Sequence, residues 1–164
     1  MKSLLFFVGI IAALGLSFIL VGFCAPVEQS SEVSKEFECS KSELWNNITD
    51  IERYAKFKDN VSHIEFAEGN KKQWIEYSKI GPINEFEILE WVEGEKLVLK
   101  ITDPKLKVEK KRVYTVYGDQ ENSVLSIKEF TKIDKLLLRS TMAISGLNQE
   151  IRKELNFLEI SLNL

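Results

Sequence analysis

The chain has 164 residues, of which 22 are Lys or Arg and 25 Asp or Glu, for a net charge of −3. A near-neutral, slightly acidic balance excludes the strongly basic footprint of a nucleic-acid-binding domain. One histidine and two cysteines exclude a multi-histidine metal centre, a CxxC pair and a disulfide framework, so neither metal nor cofactor is expected.

The chain begins with a different kind of sequence from the rest. Ser3 to Ala25 (SLLFFVGIIAALGLSFILVGFCA) has no charged residue, whereas charges are frequent beyond Val27. An apolar run of about 20 residues, rising 1.5 Å each as a helix, spans a ~30 Å hydrocarbon core. The run from Leu4 to Phe23 is longer than the ~7–15 residues of a secretory signal's apolar region. Cleavage after Ala25 would need Phe23 three residues before the cut and Pro26 just after it. Cleavage after Cys24 is less unfavourable, with Gly22 in that place, and lipidation at Cys24 would have to follow the bulky Phe23. The sequence thus favours an uncleaved signal anchor at residues 1–26, in the membrane through residues 4–23, with cleavage and secretion as the alternative. Lys2 precedes the run and the next basic residue is Lys35. That asymmetry orients the N-terminus to the cytoplasm and the domain outside it.

Residues 27–31 read as a polar linker and 32–164 as one folded domain. Val33–Cys39 alternates as a strand. Ser40, with Glu43 three residues later, forms a capping box for a helix whose apolar face is Leu44, Trp45 and Ile48. Asp50 caps a second short helix through Ile51, Tyr54 and Phe57. The period then changes. Val61–Glu68, Gln73–Ile80, Ile83–Val92, Lys96–Thr102, Val108–Tyr117 and Ser123–Thr131 are strand-like runs, separated by turn formers such as Gly69-Asn70, Gly81-Pro82 and Asp103-Pro104. Such short connections predict an antiparallel meander. Helical spacing returns in Leu147, Ile151, Leu155, Leu158 and Leu162, predicting one long C-terminal helix after a cap at Asp134, with Gly146 as a kink or close contact. A helix about 10 Å across is narrower than a sheet of about seven strands. The uncovered part of the sheet must be plugged by large side chains or left as a pocket.

The α+β order, together with several local motifs, resembles the START-like (SRPBCC) superfamily with its helix-grip fold. That superfamily includes polyketide cyclase/dehydrase-like and coenzyme Q-binding proteins. The matching segments are Ser42-Glu43-Leu44-Trp45, Ile48-Thr49-Asp50, Tyr54-Ala55-Lys56-Phe57, the strand with Trp74, Phe86-Glu87-Ile88, Trp91 to Leu97, and a final helix from about Leu136–Arg139. They cover about residues 32–162. Ala55-Lys56-Phe57 departs from the superfamily's usual Pro-x-Trp. The resemblance implies a curved antiparallel sheet wrapped on the C-terminal helix, with two short helices after the first strand. It also implies a cavity for a lipid, polyketide, quinone or other hydrophobic small molecule. It carries over no common catalytic set.

The residues themselves favour a membrane-anchored binding or carrier domain, with a polyketide cyclase/dehydratase-like enzyme or a tethered scaffold with a plugged cavity as the alternatives. His63 is alone and has no nucleophile motif beside it. The glycines are scattered, without a phosphate-binding loop. Glu85, Glu87, Glu90, Glu93 and Glu95 cluster around one hairpin and read as a solvated face. Trp74, Tyr77, Phe86, Arg112 and Tyr114 are the candidate cavity residues, because aromatic rings with polar handles suit a pocket wall. Arg112 and Tyr114 share a strand face with Val116. If that face is concave, Arg112 is a buried cation able to meet a ligand's polar head. The opposite face, Val113, Thr115 and Tyr117, is slightly more apolar, and the pattern does not choose between them. Lys105, Lys107, Lys110, Lys111 and Arg112 form a basic stretch that reads as a solvated strand end or a contact with anionic head groups.

Overall fold

A computed structural model describes residues 2–58, 60–146 and 148–162. Its elements are α1 (Lys2–Cys24), β1 (Glu28–Phe37), α2 (Lys41–Thr49), α3 (Ile51–Ala55), β2 (His63–Ala67), β3 (Asn70–Ser78), β4 (Gly81–Val92), β5 (Lys96–Asp103), β6 (Val108–Gly118), β7 (Ser123–Lys132), α4 (Leu136–Ser145) and α5 (Asn148–Leu162). The six predicted strands of the meander are all present. β1 begins at Glu28, so residues 28–31, expected to be linker, pair with β7 instead.

The local signals act as their chemistry requires. Ser40 Oγ accepts the Glu43 backbone N–H at 3.2 Å and starts α2. Asp50 Oδ1 accepts the Arg53 N–H at 3.0 Å and starts α3, which stops before Phe57. The seven strands form one antiparallel sheet in the order β1-β7-β6-β5-β4-β3-β2. Consecutive strands pair through short turns, and β1 closes on the far side of β7. The inward row of each strand then follows from the two-residue period. On β6 it is Arg112, Tyr114 and Val116, all buried, while Tyr117 is 56% exposed. The tertiary structure thus chooses the face that the sequence pattern left open.

The C-terminal helix differs from the single long helix expected. The chain breaks at Gly146, whose φ of +85° is a conformation that side-chain-bearing residues rarely adopt. Lys135, not Asp134, occupies the N-cap of α4 and makes no side-chain capping bond. Only α5 grips the sheet. Its Ile151, Leu155 and Leu158 are buried against Leu44, Trp45 and Ile48 of α2 and the inward strand residues. Leu147, read as part of the same stripe, lies outside the described residues. α4 instead packs along α1.

The backbone of α5 approaches β1, α2 and α3 most closely. It therefore lies toward one side of the sheet and leaves the inner faces of β3 to β5 less covered. Trp45 closes the α2 end of the core. Its indole N–H donates to Glu93 Oε1 at 3.0 Å, Trp91 donates to Glu93 Oε2 at 2.7 Å, and the two indoles meet edge to face. Glu93, expected to be simply solvated, therefore pins two tryptophans.

Truncating the α5 stripe tests this packing. Ile151→Ala or Leu155→Ala should each cost about 2–5 kcal/mol in chemical denaturation, since both fill a closed interior. An unchanged denaturation midpoint would place the stripe at the surface.

Candidate functional site

The space that α5 leaves uncovered has two parts. An inner chamber of about 30 Å³, room for about one water, lies among Ile48, Ile51, Leu97, Leu99, Leu158 and the aromatic pair Trp74 and Phe86. The two rings stack in parallel with centroids 4.9 Å apart. Outside it, a groove of about 770 Å³ runs between β4–β6, α5 and α4. Lys58, Glu76, Phe86, Arg112 and Glu154 line both, so they form the neck where the groove meets the chamber. Beyond the neck the groove wall is mixed, with Ile83, Ile101, Leu106, Leu138, Met142 and Phe157 interleaved with polar and charged residues such as Asn84, Asp103 and Lys153.

The neck is charged because of sheet register. Arg112 of β6 lies directly opposite Glu129 of β7 on the inward face. Its Nε donates to Glu129 Oε2 at 2.8 Å, Nη2 donates to the same oxygen, and Nη1 donates to Glu154 Oε2 of α5. Tyr114 Oη donates to the other Glu154 oxygen, and Thr131 Oγ1 donates to Glu129 Oε1 at 3.3 Å. Arg112, Tyr114, Glu129 and Glu154 are all less than 10% exposed. Lys110 extends the network, bonding to Glu150 and lying 3.7 Å from Glu129 Oε1. On the other side of the neck Lys58 Nζ donates to Glu76 Oε1 at 2.6 Å and lies over the Phe86 ring.

These contacts set the charge states. Burial works against the Arg112 cation, but Glu154, Tyr114 and Glu129 more than offset it and hold the guanidinium protonated well above its ordinary range. Burial and the Glu154 carboxylate push the Tyr114 phenol well up, against the opposing pull of Arg112. Tyr114 is thus a neutral hydrogen-bond donor at physiological pH. Arg112 is buried, as expected for a concave face, but two carboxylates already meet its charge.

Of the five predicted cavity residues, Trp74, Phe86, Arg112 and Tyr114 converge on the chamber. Tyr77 does not line the chamber or the groove. It follows the inward Glu76 across an irregularity in the β3–β4 pairing, and its ring stacks on His63 with centroids 4.9 Å apart. Sequence reasoning missed Glu76, Glu129 and Glu154. Glu129 was detectable, because Ser123, Leu125, Ile127, Glu129 and Thr131 form one alternating row with apolar members. Glu154 was also detectable, one residue before Leu155 in the apolar stripe. The basic stretch is split by the strand period. Arg112 and Lys110 turn to the neck, while Lys105, Lys107 and Lys111 are exposed.

The sequence matches no protein-family model and no curated protein. Solved structures do match its fold. A conserved protein from Geobacillus kaustophilus superposes with a TM-score of 0.67 at 12% identity over 82% of this chain and 95% of its own. The two-domain aromatase/cyclase StfQ of the steffimycin biosynthetic pathway gives 0.66 at 12% identity, over 84% of this chain and 51% of its own. Norcoclaurine synthase from Thalictrum flavum gives 0.65 at 7% identity, over 83% of this chain and 94% of its own. The chain has the helix-grip fold of the START-like proteins.

The buried network makes two predictions. Arg112→Met strands two carboxylates and should cost about 3–5 kcal/mol, most of it recovered when Glu129 and Glu154 are also replaced by Gln and Leu. Tyr114 has a raised folded pKa, so its stabilisation is complete below the unfolded value near pH 10 and is lost as pH rises toward the folded value. Denaturation midpoints measured between about pH 9 and 11 should fall less steeply in Tyr114→Phe than in the parent. Equal slopes would contradict the buried, neutral phenol.

Proposed function

We propose that this protein is a membrane-tethered binding or carrier domain for an amphiphilic small molecule or lipid. The apolar body of the ligand occupies the groove beside α5, and its polar end meets the charged neck. The observation that carries this reading is the groove itself. Its volume lies in the ~300–1,000 Å³ range of small-molecule sites, and its wall is amphiphilic, with apolar side chains from β4, β5, α4 and α5 set among charged and polar groups that converge on the neck. Because Arg112 is neutralised by Glu129 and Glu154, the neck suits a hydroxyl, carbonyl or amide better than an extra carboxylate. The indole N–H of Trp74, buried and without an acceptor, is a further donor beside the neck.

The tether is α1, whose segment Phe6–Cys24 has a mean hydropathy of 2.6 and is long enough to cross a bilayer. Its apolar side chains are largely exposed, unlike those of a core helix. In this reading the N-terminus is cytoplasmic and the domain lies outside.

A second reading, an enzyme of the cyclase or dehydratase kind, is favoured by one feature. The hydrogen-bonded Tyr114 and Glu154 place a proton donor and a carboxylate together at the neck. Turnover of a bound polyketide that disappears in both Tyr114→Phe and Glu154→Gln would establish that reading over the carrier.

Two measurements test the leading reading. The full chain should remain with membranes after alkaline carbonate extraction and retain residues 1–26 in intact-mass analysis; a soluble, shortened product would overturn the tether. Reconstituted in nanodiscs, it should bind an apolar fluorescent probe saturably, and Leu106→Trp, which narrows the groove, should weaken binding about tenfold, or ~1.4 kcal/mol. His63→Ala should leave the affinity unchanged. Affinity that ignores Leu106→Trp would remove the groove as the site.

A further inference from the structure

α4 presents three different faces. Leu136 and Ser140 lie against α1 at Gly22, where an added Cβ would come within 2.6 Å of the Leu136 carbonyl oxygen and also strike Ser140 Oγ. Leu138 and Met142 line the groove. Leu137 and Ile144, seven residues apart and so on one side of the helix, are 61% and 63% exposed. The described residues leave these last two mostly uncovered, and they border the α1 contact.

The direction of α4 follows from its contacts. The Ile133 N–H donates to the Val27 carbonyl at 2.9 Å, so the chain enters α4 beside the end of α1. Three to seven residues later Leu136 and Ser140 flank Gly22. α4 therefore runs back along α1, antiparallel to it. Ile144 is four residues beyond Ser140 and Phe18 four before Gly22, each about 6 Å along its helix. Ile144 thus falls level with Phe18, which is partly covered although the α1 residues around it are exposed. From Ser140 to Gln149 the chain has no charged residue, and the break at Gly146 turns it back into α5.

We infer that the C-terminal half of α4 dips into the outer leaflet beside α1, so that the groove opens onto the bilayer and takes its ligand from there. This rests on the reading of α1 as a membrane span: if Leu4–Phe23 crosses the bilayer, Phe18 lies within the hydrocarbon, and so does Ile144. The occupant of the outer α4 face is then lipid, continuous with the lipid around α1. Leu138 and Met142 form the groove wall nearest the leaflet, and the charged neck lies farther in. An amphiphile entering tail-last would keep its apolar part against α4 while its polar end reaches Arg112 and Glu154.

The test uses the full chain with Cys24→Ser and Cys39→Ser, reconstituted in phosphatidylcholine vesicles. Single cysteines at Ile11, Ile144 and Ile80 carry an environment-sensitive fluorophore, and the vesicles contain a lipid with a doxyl quencher on its acyl chain. Ile11 reports on α1, and Ile80, 86% exposed in the β3–β4 turn, reports on the water-facing domain. The labels at Ile11→Cys and Ile144→Cys should be blue-shifted and lose most of their emission to the quencher, and the label at Ile80→Cys should not. Adding Gly22→Leu, which cannot fit against Leu136, should release Ile144 from quenching while Ile11 stays quenched. Quenching at Ile11 without quenching at Ile144 would overturn the inference and leave the tether standing. A label at Ile144 that is blue-shifted but insensitive to the quencher would also overturn it, marking a protein contact such as a second copy. No quenching at Ile11 would remove the tether and the inference together. Quenching at Ile144 that survives Gly22→Leu would overturn the role assigned to the α1 contact.

Discussion

The ion network around Arg112 is the contact on which the architecture turns. It joins β6, β7 and α5 at one point inside an otherwise apolar interior, using a cross-strand pair and a helix carboxylate. A guanidinium suits this position because its planar fork donates in several fixed directions at once, which a lysine ammonium cannot do. Glu129 takes one side of the fork and Glu154 another, and Tyr114 holds the far oxygen of Glu154. Such a cluster adds little net stability over an apolar core, because desolvation offsets the Coulomb attraction. Its effect is on geometry. α5 can dock in the register that brings Glu154 to Arg112 and not one turn away, where a charge would be left unpaired.

The groove is a consequence of that docking. Held to β6 by Glu154, and with its backbone closest to β1, α2 and α3, α5 leaves the inner faces of β3 to β5 less covered. The uncovered strip has been treated in two ways along its length. At the inner end Trp74 and Phe86 stack and nearly fill it, and toward α4 it stays open. Plug and pocket, which looked like alternatives for the excess sheet surface, are both present and meet at the charged neck.

The break at Gly146 has an equally large effect. A continuous helix from Leu136 to Leu162 would be about 40 Å long. Dividing it frees α4 to pack on α1, where Gly22 provides the close approach that a side chain would prevent. The N-terminal apolar segment is therefore part of the folded structure through α4, as well as through its short connection to β1.

Much was legible in the amino-acid order because the relevant physics is local. Strand alternation, the Ser40 and Asp50 caps, the turn residues and the apolar length of α1 depend on near neighbours, so the meander, both short helices and the apolar α1 helix could be read directly. The recurrence of Ile151, Leu155 and Leu158 likewise marked the gripping face of α5. The choice of concave face on β6 could not be read, because its two rows differ little in hydrophobicity; it depends on Arg112 meeting Glu129 from one strand away and Glu154 from 42 residues on. Tyr77, three residues from Trp74 and so on the other face of β3, stands opposite His63 in the β2–β3 register and stacks on it. Position in a pocket is a property of register and docking between distant segments. The sequence by itself determined the elements and their order; only tertiary packing decided which charges are buried together, where the last helix breaks away, and where the groove opens.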